Sequence, residues 1–250
     1  MRSYSNIVIG LLVMFLLLSV ALNYYLFNRG REYYLEVNAV RLDPLGLDYY
    51  DVSPDQKDYT DPDLTTVVFF GDSRAASWPA PGVDQFEFVN RGIGSQTSKQ
   101  TVSRFDYHVR PLRPQVIIVQ TGINNLKTIP LFPEQEGAII ADCKEDIQQI
   151  VLKSGELGAT VILTTIFPLG QVPIERKPFW SDDVVPAVEE INAYIRSLKG
   201  ESVLIFDAYS VLLGEGGAIN PEYSQDLLHL NAAGYKALNQ ELERFLMAMD

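Results

Sequence analysis

Five short runs of apolar, β-branched and aromatic residues constrain the fold of this chain more than any other feature of its sequence. They are Thr65–Phe70 (TTVVFF), Phe86–Val89 (FEFV), Val116–Gln120 (VIIVQ), Thr160–Ile166 (TVILTTI) and Val203–Phe206 (VLIF). A strand that reads as a nearly continuous hydrophobic run is covered on both faces, which is the condition of a parallel sheet between helical layers. Helical patterns fall between the runs. Ile139, Ile140, Cys143, Ile147, Ile150 and Val151 recur at three- and four-residue spacing, as do Leu238, Leu242, Phe245 and Leu246 near the carboxyl end. The expected fold is a three-layer α/β/α sandwich with a five-stranded parallel sheet, in which function gathers at the carboxyl ends of the strands. Cys143, the only cysteine, lies on an apolar helix face and reads as a buried core thiol.

The amino terminus follows a different rule. Ile7 to Phe27 is a run of 21 residues without a charge, and as a helix at ~1.5 Å per residue it spans the ~30 Å hydrocarbon layer of a bilayer. Tyr24 and Tyr25 stand where an interfacial aromatic belt belongs. Residues 1–31 are therefore expected to form a single-pass membrane anchor, with a transmembrane helix over about 7–27. Small residues at Ser19-Val20-Ala21 leave a cleaved signal peptide as the alternative. Arg2 on one side faces Arg29, Arg31 and Arg41 on the other, so charge does not decide the orientation. A short tail, one span and a following domain form a signal-anchor layout, which puts that domain outside the cytoplasm, in a periplasm or the extracellular space.

Residues 32–63 carry nine acids against Arg41 and Lys57, together with Pro44, Pro54 and Pro62, and read as a non-helical, solvated connector. Residues 64–250 remain as the folded domain. Over the whole chain of 250 residues the formal charge is −12, which repels phosphate backbones and excludes nucleic acid as a partner. One cysteine and two histidines, His108 and His229, exclude an intrachain disulfide and a Cys/His zinc cluster, and they leave histidine chemistry with two candidates.

Polar residues cluster where the fold predicts. After the first run, Gly71-Asp72-Ser73-Arg74 turns out of a buried strand and presents the Ser73 hydroxyl, either as an ordinary turn or as a nucleophile in need of a base. After the second, Asn90 to Thr97 contains a Gly-x-Gly at Gly92 and Gly94. Thr97 stands where a third glycine would complete a dinucleotide fingerprint, so that reading is rejected, while a helix start there still suits an anion. After the third, Gly122-Ile123-Asn124-Asn125 offers a side-chain amide that either supports an oxyanion or caps the next turn. Finally, Asp226-Leu227-Leu228-His229 has the spacing that lets a carboxylate reach imidazole Nδ1 across a turn and leaves Nε2 for a serine proton. His108, in Tyr107-His108-Val109-Arg110, reads as a helix-surface residue.

The order of these four blocks resembles the SGNH, or GDSL, hydrolase superfamily. The Gly-x-Asn-Asn form and Asp-x-Leu-His-Leu followed by Gly234-Tyr235 are similar to its platelet-activating-factor acetylhydrolase-like branch. The resemblance implies a flavodoxin-like sheet and no metal or organic cofactor. It further implies Ser73 as nucleophile, His229 as general base and acid, and Asp226 as the residue that orients it. The oxyanion donors it implies are the backbone N–H groups of Ser73 and Ser95 and the side chain of Asn124. Ser95 stands at a usual glycine position, one place after Gly94, and a serine there can supply the N–H while its side chain either crowds the acyl group or demands different dihedrals. Arg74 and Arg91 fall near the pocket, as substrate contacts alongside Gly94 or as surface ion pairs. Trp78 and Trp180 are sugar platforms or packing residues.

The expected function is a membrane-anchored serine esterase that cleaves an acyl ester, acetyl included, on a carbohydrate, lipid or other small molecule. Two alternatives stay open, an O-acyltransferase using the same triad and a catalytically quiet SGNH-like binding or assembly module.

Overall fold

A computed structural model describes residues 2–51 and 64–249 of the chain, with the side chains of all of these except Arg2 and Ser3. The chain divides into two compact units, Met1–Gly46 and Leu47–Asp250. The first unit is dominated by one helix, α1 (Arg2–Leu42), of 41 residues. At ~1.5 Å per residue α1 is about 60 Å long. It is long and apolar enough to cross a membrane, and the side chains of the apolar stretch are exposed. The helix does not stop at Glu32, which corrects the reading of residues 32–42 as non-helical connector. The acids there are compatible with a helix: Arg29 Nη1 donates to Glu32 Oε2 at 2.8 Å one turn away, and Pro44, the first proline, is what ends it, because the residue before a proline disfavours the helical region. The later part of the expected connector, residues 52–63, lies outside the described residues.

The second unit is the α/β/α sandwich. Its strands are β1 (Thr65–Gly71), β2 (Phe86–Gly92), β3 (Val116–Gln120), β4 (Thr160–Thr164) and β5 (Val203–Phe206), all parallel, in the order β2-β1-β3-β4-β5. Consecutive residues of a strand point to opposite faces, so a strand buried on both sides needs apolar residues at both parities. In β1, Val68 and Phe70 enter one core layer with Phe105, Cys143, Ile147 and Ile191, whereas Val67 and Phe69 enter the other with Trp78, Leu238, Leu242 and Leu246. The helices of this unit are α2 (Ser73–Ala76), α3 (Ser98–Ser103), α4 (Phe105–His108), α5 (Ile123–Leu126), α6 (Glu136–Gly155), α7 (Val184–Ser197), α8 (Ala208–Leu212) and α9 (Ala232–Met247), with α6 and α7 packed on the first face and α9 on the second. Cys143 is fully buried in α6, and burial pushes its thiol up to about 12. Trp78 is a core residue, with its ring against Phe69 and its Nε1 donating to Asn239 at 2.7 Å.

Strand β4 ends at Thr164, two residues before its apolar run does. Beyond it Asn192 of α7 replaces a neighbouring strand, accepting from Ile166 N at 2.6 Å and donating to Ile166 O at 2.9 Å. The chain runs from β1 outward to β2 and then returns to place β3 on the other flank of β1. The strand order therefore reverses between β1 and β3, and the carboxyl ends at such a reversal are where ligands of these sheets bind.

Candidate active site

The end of β1 is tied directly to that of β3. Asp72 N donates to Gln120 O at 3.0 Å, and Gly71 takes φ +153°, where a Cβ would lie 1.8 Å from Gln120 O. Only glycine tolerates this approach. The chain then turns at once into a short helix, α2 (Ser73–Ala76), capped by Asp72, whose Oδ1 accepts from Arg74 N at 2.9 Å. Ser73 is thereby presented, half-buried, at the first helical position.

His229 arrives from the loop before α9. Its Nε2 is 3.0 Å from Ser73 Oγ, and its Nδ1 is 2.9 Å from Asp226 Oδ2. An ionised carboxylate only accepts, so Nδ1 carries the proton and the Nε2 lone pair receives the serine hydroxyl. The three-residue spacing works because Asp226 folds back on its own turn: its Oδ1 accepts from Leu228 N and His229 N, each at 2.8 Å. Burial pushes the Asp226 carboxyl up, but the bond from the His229 ring and those two N–H groups outweigh it, leaving the carboxyl below its ordinary value. Asn231, which accepts from Ala233 N and Gly234 N, fixes the start of α9 directly after the histidine turn.

The loop after β2 passes beside the serine. A Cβ on Gly94 would lie 4.0 Å from Ser73 Cβ, and Ser95 adopts φ +64°, in the left-handed region that favours glycine. The loop ends where Thr97 caps α3 (Ser98–Ser103) in a reciprocal arrangement with Gln100. The turn after β3 grips this loop through two side chains of α5 (Ile123–Leu126). Asn124 Nδ2 donates to Gln96 O at 2.9 Å, which uses one of its two hydrogens. Asn125 accepts from Ser98 N at 2.8 Å and donates to Ser98 Oγ at 2.9 Å. The backbone N–H groups of Ser73 and Ser95 have no acceptor among the described residues.

Three expectations are corrected here. Arg74 is fully buried instead of pairing at the surface or facing a ligand. Its Nε donates to Leu228 O at 2.8 Å and its guanidinium lies 4.9 Å from the Phe167 ring, so it ties the serine turn to the histidine turn. Burial lowers the Arg74 guanidinium to about 10 and pushes the buried Asp72 carboxyl up to about 6, against the pull of the Arg74 charge. Arg91 is also buried, 4.8 Å from the Tyr50 ring centre with Nη1 on Asn90 O, and forms no ion pair among the described residues. His108 is buried rather than on a helix surface, with Nδ1 at 3.3 Å from Arg104 Nη1 and Nε2 at 3.1 Å from Leu47 O. An arginine only donates and a carbonyl only accepts, so His108 Nδ1 accepts and its Nε2–H donates. The ring is a neutral joint, distant in role from His229.

Sequence reasoning missed Arg104. Fully buried, it donates to Gly71 O at 2.8 Å, to Arg91 O at 2.8 Å and to Gln96 Oε1 at 2.5 Å, and so clamps the end of β1, the end of β2 and the glycine loop together. Two of its partners are backbone carbonyls, which leave no mark in a sequence.

The sheet order and the Ser73–His229–Asp226 hydrogen bonds stand together at the carboxyl ends of the strands. The GDSL-like lipase/acylhydrolase family matches residues 58–237, and the chain belongs to that family. Solved structures with the same fold include a GDSL-like lipase from Bacteroides thetaiotaomicron VPI-5482, 22% identical with a TM-score of 0.65 over 82% of this chain and 99% of that one. A protein from Streptococcus pneumonia, provisionally described as a platelet activating factor, is 19% identical with a TM-score of 0.61 over 84% and 99%. The acetyl xylan esterase AlAXEase is 18% identical with a TM-score of 0.58 over 72% and 98%. No curated protein matches the chain.

Proposed function

We propose that the protein is a membrane-anchored serine esterase that removes a small acyl group, acetyl foremost, from a carbohydrate, lipid or other small molecule. The observation that carries this reading is the unbroken relay from Ser73 Oγ to His229 Nε2 at 3.0 Å and from His229 Nδ1 to Asp226 Oδ2 at 2.9 Å. In the reaction Ser73 Oγ attacks the ester carbonyl and passes its proton to His229 Nε2. Asp226 holds the ring and balances the imidazolium charge. The developing oxyanion is met by the N–H groups of Ser73 and Ser95 and by the second hydrogen of Asn124 Nδ2, while Gly94 leaves room for the acyl group. His229 then protonates the departing alkoxide, and a water, deprotonated by the same nitrogen, cleaves the acyl-enzyme and returns Ser73. Arg74 and Arg91, both buried, brace the site and make no contact with substrate. The resemblance in fold to AlAXEase supports an acetyl group as the first acyl to test. α1 serves as the anchor, and the hydrolase is placed on the extracytoplasmic side.

The test is turnover of p-nitrophenyl acetate and longer esters by the full chain in detergent, with Ser73→Ala and His229→Ala beside it. Both substitutions should lower kcat by about 10³-fold or more, since triad members act as a unit. Wild-type rates in Ser73→Ala would overturn the proposal. Product partition with added sugar acceptors distinguishes a hydrolase from an acyltransferase using the same serine.

A further inference from the structure

The turn Leu47–Tyr50 follows α1 in the chain by a few residues, and nothing in the reaction described above uses it. Yet it is fastened to the hydrolase sheet at two points. Tyr50 Oη donates to Gly92 O at 2.5 Å, and its ring lies 4.8 Å from the Arg91 guanidinium and 5.5 Å from the His108 ring in an edge-to-face arrangement. Leu47 O accepts from His108 Nε2 at 3.1 Å, and His108 Nδ1 in turn faces Arg104. Burial raises the Tyr50 phenol, with Arg91 and Arg104 acting in the opposite sense, so it remains a donor at neutral pH.

Gly92 is the last residue of β2 and the hinge of the loop that carries Gly94 and Ser95 past Ser73. Its N–H is held by Asn90 Oδ1 at 2.8 Å, and the next N–H, of Ile93, by Gly71 O at 3.0 Å. The carbonyl of Gly92 is held by Tyr50. A Cβ at Gly92 would lie 2.1 Å from Ala76 N, so α2 presses on the same residue from the nucleophile's side. The hinge is thus gripped by α2 on one side and by Tyr50 on another, and a small rotation of the Gly92–Ile93 peptide would swing the Ser95 N–H.

We infer that Tyr50 is a positioning residue of the esterase, which sets the Ser95 N–H of the oxyanion loop through the Gly92 carbonyl and makes the post-helical turn a working part of the hydrolase. This rests on the proposed triad chemistry. It also places the start of the hydrolase domain before residue 64, at Leu47. An oxyanion donor acts mainly on the transition state, so misplacing it lowers kcat and leaves KM nearly unchanged.

The test uses the full chain in detergent and compares Tyr50→Phe, Tyr50→Leu and, as control, Tyr49→Phe, whose side chain is exposed and packs edge-to-face with the Tyr50 ring. A fluorophosphonate probe counts competent serines, and its rate of reaction reports the same oxyanion contacts as ester turnover. Tyr50→Phe keeps the ring and loses the hydroxyl bond. It should lower kcat and the labelling rate about 10-fold, with KM within about twofold and labelling still reaching one probe per chain. Tyr50→Leu should lower both rates further, by about 100-fold. Wild-type kcat in Tyr50→Phe, or a loss explained entirely by fewer labelled chains at an unchanged labelling rate, would overturn the inference. Labelling and turnover that persist in Ser73→Ala would instead overturn the esterase reading itself, so the two failures are separable.

Discussion

Replacing Ser95 by glycine should stabilise the protein while leaving its chemistry in place. Ser95 has φ +64°, and an L-residue pays about 1–2 kcal/mol to sit in the left-handed region. Glycine removes that cost but is freer in the unfolded chain, which takes back about 0.5–1 kcal/mol. From the middle of each range the net gain is about 0.7 kcal/mol. In a unit of this size that raises Tm by about 1–4 °C. The side chain is exposed, so its loss opens no cavity. The N–H that points toward the proposed oxyanion is the same in both residues, and kcat should stay within about threefold of wild type. Ser95→Val is the converse control, because a β-branched side chain tolerates this region poorly and should lower Tm. Thermal melting and p-nitrophenyl acetate kinetics on the three proteins check both halves. A Tm that falls in Ser95→Gly would refute the strain argument. A loss in kcat greater than tenfold at an unchanged Tm would mean that the hydroxyl, not the N–H, serves the reaction.

Two more outcomes follow from the site. Asp226→Asn keeps the size of the side chain but presents an amide to His229 Nδ1, which favours the wrong tautomer, and kcat should fall by about 10³–10⁴-fold with little change in KM; steady-state kinetics at neutral pH measure this, and a loss under tenfold would remove Asp226 from the relay. Asp72 gives a stability profile of unusual sign. Its carboxyl is raised from 3.8 to about 6 by burial, so the folded state holds the proton more tightly than the unfolded chain, and the associated stability is present below the unfolded value and lost as pH rises through about 6. Raising the carboxyl that far is worth on the order of 3 kcal/mol. Wild type should therefore gain stability relative to Asp72→Asn between pH 7.5 and pH 5 in denaturant melts, and parallel profiles would contradict a buried, titrating Asp72.

The parts of this molecule that could be read in the sequence are those whose signal is local or repeated. β1 and β3 were legible because a strand buried on both faces has no polar parity to hide it, and Asp226 with His229 because a three-residue turn is enough to join them. Gly71 and Gly122 were visible as strand-end glycines, although the reason for the first, a backbone oxygen at 1.8 Å from any Cβ, is a contact across 49 residues. The misreadings share the opposite property. Arg74 looked like a surface arginine because Phe167, Leu228 and Tyr235, which bury it, lie far along the chain. His108 and Arg104 bond chiefly to carbonyls and to each other, and Tyr50 reaches a carbonyl at Gly92, so no pattern of side-chain types announces them. Counting acids from Glu32 suggested a solvated coil, whereas a helix tolerates such residues until Pro44 stops it.

The burial of Cys143 has a practical side. Burial pushes the thiol up to about 12, so the reactive thiolate is scarce at neutral pH, and the side chain is closed off beneath α6. The native protein is therefore silent toward maleimides without any cysteine having to be removed. One cysteine introduced at an exposed place such as Glu201, and labelled on intact cells with a reagent that cannot cross the bilayer, becomes the sole reporter of which compartment the hydrolase faces.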